Sequence, residues 1–179
     1  MGECSHREGR LQDLIVSPRN DISYYWDKSS RTTLSIPKTT DAAAGETAGG
    51  VSLAQAIPLN QLGVSTDDGY GGVPTVVLDS MIYPDYRTVV SFGSTGLNTP
   101  FDPMLVRWSD RGRPGSWNPT DTNSSGGQVL TTGSYIAGAA RSKTEVLVWT
   151  DECVYVMNYI GGDLIFGFKE VADGVSIIG

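Results

Sequence analysis

The sequence predicts an all-β fold of short antiparallel strands, and two observations carry that prediction. Glycine supplies 22 of 179 residues without a collagen period, so the chain is rich in turns. Between those turns run short segments rich in Val, Ile, Thr, Tyr and Trp, the residues that suit a pleated, half-buried surface. Hydrophobic residues make up 39% and charged residues 18%, a balance that folds rather than stays disordered.

The elements follow in order. "LQDLIV" (11–16), the turn "SPRND" (17–21) and "ISYYWD" (22–27) make a hairpin, with Ile22, Tyr24 and Trp26 on one face of its second strand. Residues 28–72 are small, polar and glycine-rich and predict a long irregular insertion. Within it "SLAQAIPLN" has the makings of a helical turn that Pro58 stops. Strands return with "VPTVVLDSMIY" (73–83), "RTVVSFGS" (87–94), "PMLVRWSD" (103–110) and "QVLTTGS" (128–134). "YIAGAARSK" (135–143) leads to the clearest hairpin, "EVLVW", turn "TDE", "CVYVMNYI", and then to "GGDLIFGFKEV" (161–171) and "ADGVSIIG" (172–179). Roughly nine strands in simple succession mean antiparallel sheets, and sandwich, barrel and propeller all accommodate that order. Residues 1–10 read as a disordered tail ahead of a single domain over 11–179.

Tryptophan spacing points to one of those three architectures. "YYWD" (24–27), "VRWSD" (106–110) and "VWTDE" (148–152) each set an Asp one or two residues after a Trp. Trp26, Trp108 and Trp149 lie at multiples of one interval near the length of a four-stranded propeller blade. The stretch "SDRGRPGSW" (109–117) also resembles, with altered spacing, the Asp-box turn of sialidase-type propellers, S-x-D-x-G-x-[ST]-W. That resemblance gives Asp110 the role of turn acceptor, Gly112 and Gly115 that of bend residues, and Trp117 that of an anchor packed beneath the turn. Trp26 with Asp27, Trp108 with Asp110 and Trp149 with Asp151 are the structural anchors this pattern predicts.

Chemistry is sparse. His6 is the single histidine, and no HExxH, CxxC, Walker or G-x-G-x-x-G pattern occurs. No cofactor and no metal site is expected, and the chain does not read as an enzyme. Carboxylates at Asp67, Asp68, Asp79, Asp85, Asp102, Asp110, Asp121 and Asp151 fall at turns, where Asp ordinarily accepts backbone N–H bonds; convergence of two as a glycosidase pair is the competing reading. The two cysteines, Cys4 and Cys153, are expected to be free thiols. Arg107, between Val106 and Trp108, is either a structural cation, paired with a turn Asp or stacked on Trp, or a contact for a partner or a glycan. Tyr24 and Tyr25 carry the same two readings, as core residues or as a sugar-stacking surface. Thirteen basic against 20 acidic residues leave a net charge of −7, which is unsuited to gripping nucleic acid but compatible with DNA passing close by. No apolar run is long enough to span a membrane as a helix.

Read end to end, the chain resembles a group of tailed-bacteriophage virion proteins. The matching segments are "DLIVSPRNDISYYWD" (13–27), "VVSFGS" (89–94), "DPMLVRWSD" (102–110), "SWNPTDTNSSG" (116–126), "LTTGSYIAG" (130–138), "EVLVWTDECVYVMNYIG" (145–161) and "IFGFKEVADGVSIIG" (165–179). These resemble, in order and spacing, the propeller-bearing tail hub or nozzle proteins of short-tailed phages. The resemblance implies a partial β-propeller of antiparallel four-stranded blades in a non-catalytic virion protein. It implies a ring around the DNA exit channel, made in the bacterial host cytoplasm and placed in the tail. Copies of the chain and other tail proteins are the implied partners, with no specific binding of the DNA. A propeller at the tail tip that binds a host surface glycan is the alternative. Proteins of that group are several times longer, and roughly three to four blades fit here, so further blades are expected from elsewhere.

Overall fold

The computed structural model describes residues 14–26, 57–62, 69–83 and 87–174. The predicted tail at 1–10, Asp27, most of the 28–72 insertion and the final strand beyond Gly174 lie outside the described residues.

The described residues form three antiparallel sheets and no α-helix. The first is small: β1 (Leu14–Val16), β2 (Tyr24–Trp26) and β3 (Ile57–Pro58), in that spatial order. The predicted hairpin is present, with Leu14 opposite Trp26 and Val16 opposite Tyr24. β3 corrects the expectation that 28–72 is irregular throughout. Pro58, with no N–H to donate, is tolerated there because β3 is an edge strand. A 3-10 turn follows this proline over Leu59–Gln61, while the part of "SLAQAIPLN" before Ile57 lies outside the described residues.

The other two sheets are four-stranded and built alike. β4 (Val77–Ile82), β5 (Val89–Thr95), β6 (Phe101–Trp108) and β7 (Gly126–Val129) lie side by side in chain order. So do β8 (Ile136–Arg141), β9 (Val146–Thr150), β10 (Cys153–Tyr159) and β11 (Phe166–Asp173). Each strand pairs with its neighbour in sequence, which makes each sheet a meander. Strand alternation sets the packing. Met104, Val106 and Trp108 of β6 face inward, as do Val146 and Val148 of β9 and Cys153, Tyr155 and Met157 of β10. Both sheets contribute to one apolar core, in which Trp108 meets the Phe166 ring edge-on at 5.2 Å and Tyr83 lies 4.7 Å from the same ring. The Tyr83 hydroxyl donates to the Thr144 carbonyl at 2.9 Å and accepts the Tyr159 N–H at 3.0 Å, tying the end of β4 to the second meander. Cys153 is a buried free thiol within this core.

A second, smaller core gathers Leu59, Val89 and Trp117, flanked by Ile15, Tyr25, Leu62 and Val73. It joins the small sheet to the first meander.

The tryptophan interval is not the structural repeat. Trp108 ends the third strand of one meander and faces its core, whereas Trp149 sits near the end of the second strand of the next, half-buried on the opposite face. The first strands of the two meanders begin at Val77 and Ile136, a wider interval than the tryptophan spacing. Strand pairing, not tryptophan position, defines the unit.

Candidate functional site

The loop 109–125 connects β6 to β7 and is larger than the tight turn its sequence suggests. It contains two turns end to end: the Arg113 N–H bonds the Asp110 carbonyl at 3.2 Å, and the Ser116 N–H bonds the Arg113 carbonyl at 3.1 Å. The Asp110 N–H returns to the Ser116 carbonyl at 2.8 Å and closes the pair. Trp117 is fully buried beneath them and donates its indole N–H to the Pro114 carbonyl at 2.7 Å. Gly112 has φ of 71°, the left-handed conformation expected of a bend residue. Gly115 serves differently: a side chain there would meet the Leu62 carbonyl at 3.0 Å, so its role is close approach. Backbone bonds stitch 69–71 to this loop, with Gly71 N–H on the Gly115 carbonyl at 3.0 Å and Trp117 N–H on the Gly71 carbonyl at 2.9 Å.

Asp110 is an acceptor, but of the far side of the loop. Its Oδ1 accepts the Ser124 N–H at 2.9 Å and the Ser124 hydroxyl at 2.7 Å, and Arg113 stands 3.9 Å from Oδ2. Asp151 acts similarly in the second meander. Its Oδ1 accepts the N–H groups of Ser134 at 2.6 Å and Tyr135 at 3.3 Å, and the Ser134 bond leads in holding this carboxyl below the ordinary aspartate value. Between Trp and Asp in both places is a hydroxyl residue with no exposure, Ser109 or Thr150. Ser109 Oγ accepts the Val89 N–H at 3.0 Å; Thr150 Oγ1 accepts the Cys153 N–H at 2.9 Å. Trp-[Ser/Thr]-Asp is thus a corner device: a buried hydroxyl satisfies strand backbone while the carboxylate staples a neighbouring loop. The paired triplets "WSD" and "WTD" were the signal for those hydroxyls.

Arg107 is buried, with 4% of its surface exposed. It donates from Nη2 to the Trp117 carbonyl at 2.9 Å and from Nη1 to the Thr95 carbonyl at 3.3 Å, and its guanidinium carbon lies 5.8 Å from the centre of the Trp117 ring. Of the expected roles this is the stacked structural cation; Asp110 pairs with Arg113 instead. No carboxylate among the described residues pairs with Arg107, and burial draws its pKa below the ordinary guanidinium value. Beside it runs an open groove of about 590 Å³ on the face of β6 and β7 away from the core, lined by Leu105, Gly127 and Val129 and walled by the 96–103 segment and Pro119.

The structure does not bring Tyr24 and Tyr25 onto one surface. Consecutive strand residues point to opposite faces, and Tyr25 packs at the smaller core. Tyr155 is buried, its hydroxyl accepting the Thr132 N–H at 3.0 Å, while Tyr159 is exposed. No group of three or more His, Cys, Asp or Glu side chains among the described residues is placed to hold a metal ion. Asp102 accepts the Met104 N–H at 2.8 Å, and Asp79 is a half-buried strand residue whose carboxyl is pushed up by burial.

No family model, no curated protein and no solved structure matches this chain.

Proposed function

We propose that the chain is a structural component of a bacteriophage tail, contributing β-propeller blades to the hub or nozzle ring around the DNA exit channel, without a catalytic role. The observation that carries this reading is the arrangement of β4–β7 and β8–β11: two successive four-stranded meanders packed through one core, the pattern of neighbouring propeller blades. The sequence segments that resemble tail hub and nozzle proteins add to it, and several fall on strands and corners of the two meanders. The small β1–β2–β3 sheet is then part of a further blade. The terminal strands β8 and β11 have no further strand beside them among the described residues, edges through which copies of the chain and other tail proteins join. A net charge of −7 suits a wall past which DNA slides without adhering.

The test is native mass, by light scattering and mass photometry, with negative-stain imaging. A closed oligomer of defined size with a central opening is the expected result. A monomer at all concentrations overturns the ring; a monomer that binds saturably on a glycan array replaces it with a receptor-binding module.

A further inference from the structure

The groove beside Arg107 has a chemistry that the ring reading does not use. Three of the large exposed apolar side chains of the molecule, Leu97, Phe101 and Val129, line it together. Exposed apolar residues scattered singly need no explanation, but a cluster rimming a concavity marks a binding surface. Arg107, also lining the groove, is a second and independent sign. A guanidinium carries five N–H donors; two carbonyls each take one, and no carboxylate among the described residues neutralises it. Buried cations are ordinarily paired, because an uncompensated one is costly to desolvate. A groove that joins apolar walls to an uncompensated cation is complementary to an apolar ligand that carries a carboxylate.

The backbone narrows the ligand further. One side of the groove is β7, a terminal strand of its sheet, with Gly127, Gln128 and Val129 exposed. Gly127 stands opposite Arg107, where an added Cβ would meet the Arg107 Cγ at 3.1 Å. An edge strand with unpaired N–H and C=O groups takes an added strand, and alternate side chains of that strand then face the sheet surface beside it. On the opposite wall, Asp102 uses Oδ1 to accept the Met104 N–H and offers acceptor capacity to an incoming donor.

We propose that this groove is the docking site for an extended peptide segment of a partner protein, added as a strand along β7, whose Asp or Glu side chain meets Arg107 and whose residues two positions to either side pack against Leu97, Phe101 and Val129. The proposal stands on the groove alone and not on the phage-tail reading.

The test is an array of heptapeptides with Glu fixed at the centre and the other positions randomised, beside the same array with Gln at the centre, probed with the full chain. The expected result is retention on the Glu array with Val, Ile or Phe selected two positions from the centre, and at least tenfold weaker retention on the Gln array. Val129→Glu places an anion on an exposed wall and is expected to abolish retention with no change in melting temperature. Arg107→Lys keeps the charge and loses the planar fork, and is expected to reduce the Glu preference. Equal retention on both arrays, no retention on either, or retention unaffected by Val129→Glu overturns the proposal. Direct binding of soluble oligoglucuronate without any peptide retention assigns the groove to an acidic glycan and overturns it equally. None of these results alters the native mass, so failure here is distinct from failure of the ring.

Discussion

Trp117 concentrates more of the fold in one side chain than any other residue of its loop. It fills the smaller core, holds the Pro114 carbonyl through its indole N–H and gives Arg107 a ring to lie against. Trp117→Ala should therefore cost about 3–5 kcal/mol, as for large buried aromatics generally, read from the urea midpoint; a variant that unfolds with the wild type would show that the anchor is dispensable. Asp151 permits a pH test. Its folded pKa is depressed, chiefly by the Ser134 N–H, so its stabilising contribution is present above the unfolded value of about 3.9 and disappears as pH falls through the lower folded value. Asp151→Asn should melt below wild type at neutral pH, and the gap should close on acidification through that range. A gap of constant size would assign the effect to shape and not charge. Much of this was legible in sequence: Asp at a turn reads as an acceptor, and the indole beneath the turn follows from "GSW". Which N–H groups each Asp accepts was not, because Ser124 and Ser134 reach their carboxylates through loop closure. Arg107 also needed the structure, since nothing in "LVRWS" says whether a lone cation in an apolar strand faces water or a carbonyl-lined recess.

At the level of elements, alternation and turn residues located every strand of the two meanders to within a few residues, because each pairing is between sequence neighbours. β3 escaped notice because two residues pairing far along the chain leave no local periodicity. The tryptophan spacing misled for the opposite reason: corners recur wherever a strand ends, and Trp-[Ser/Thr]-Asp marks such ends on a third strand and on a second. The corner at Asp151 is tight. Gly133 has φ of 113°, and an added Cβ would stand 2.6 Å from Asp151 Oδ1 and 2.8 Å from Thr150 Cβ. Gly133→Ala should cost about 1–3 kcal/mol through backbone strain and displacement of that carboxylate. Gly112→Ala, with a left-handed φ but open space around it, should cost less. Equal thermal shifts for the two would show that steric crowding at the corner contributes nothing.

Across the whole molecule, the shared core is what unites the two meanders. Neither sheet has an apolar interior of its own: Phe92, Val106 and Trp108 from one and Val148, Met157 and Phe166 from the other belong to a single cluster. Tyr83 adds two hydrogen bonds from the end of β4 to the second meander. Thermal unfolding followed by tryptophan fluorescence, which reports on Trp26, Trp108, Trp117 and Trp149 together, and by far-ultraviolet dichroism, which reports on all strands, should give coincident transitions. Separated transitions would mean that one meander survives without the other.

The nearest-neighbour pairing of the meanders has a kinetic consequence. Hairpins between adjacent strands need only short loops to close, and folds dominated by such local contacts form quickly. The small sheet differs, since Tyr25 meets Ile57 and the Asn20 N–H bonds the Val77 carbonyl only after much longer stretches of chain have closed. Refolding should thus be ordered in time, with amide protection appearing in β9 and β10 before it reaches β2. In a growing polypeptide, Tyr24 and Tyr25 would then emerge early and wait unpaired on the β3 side until residue 58 has followed.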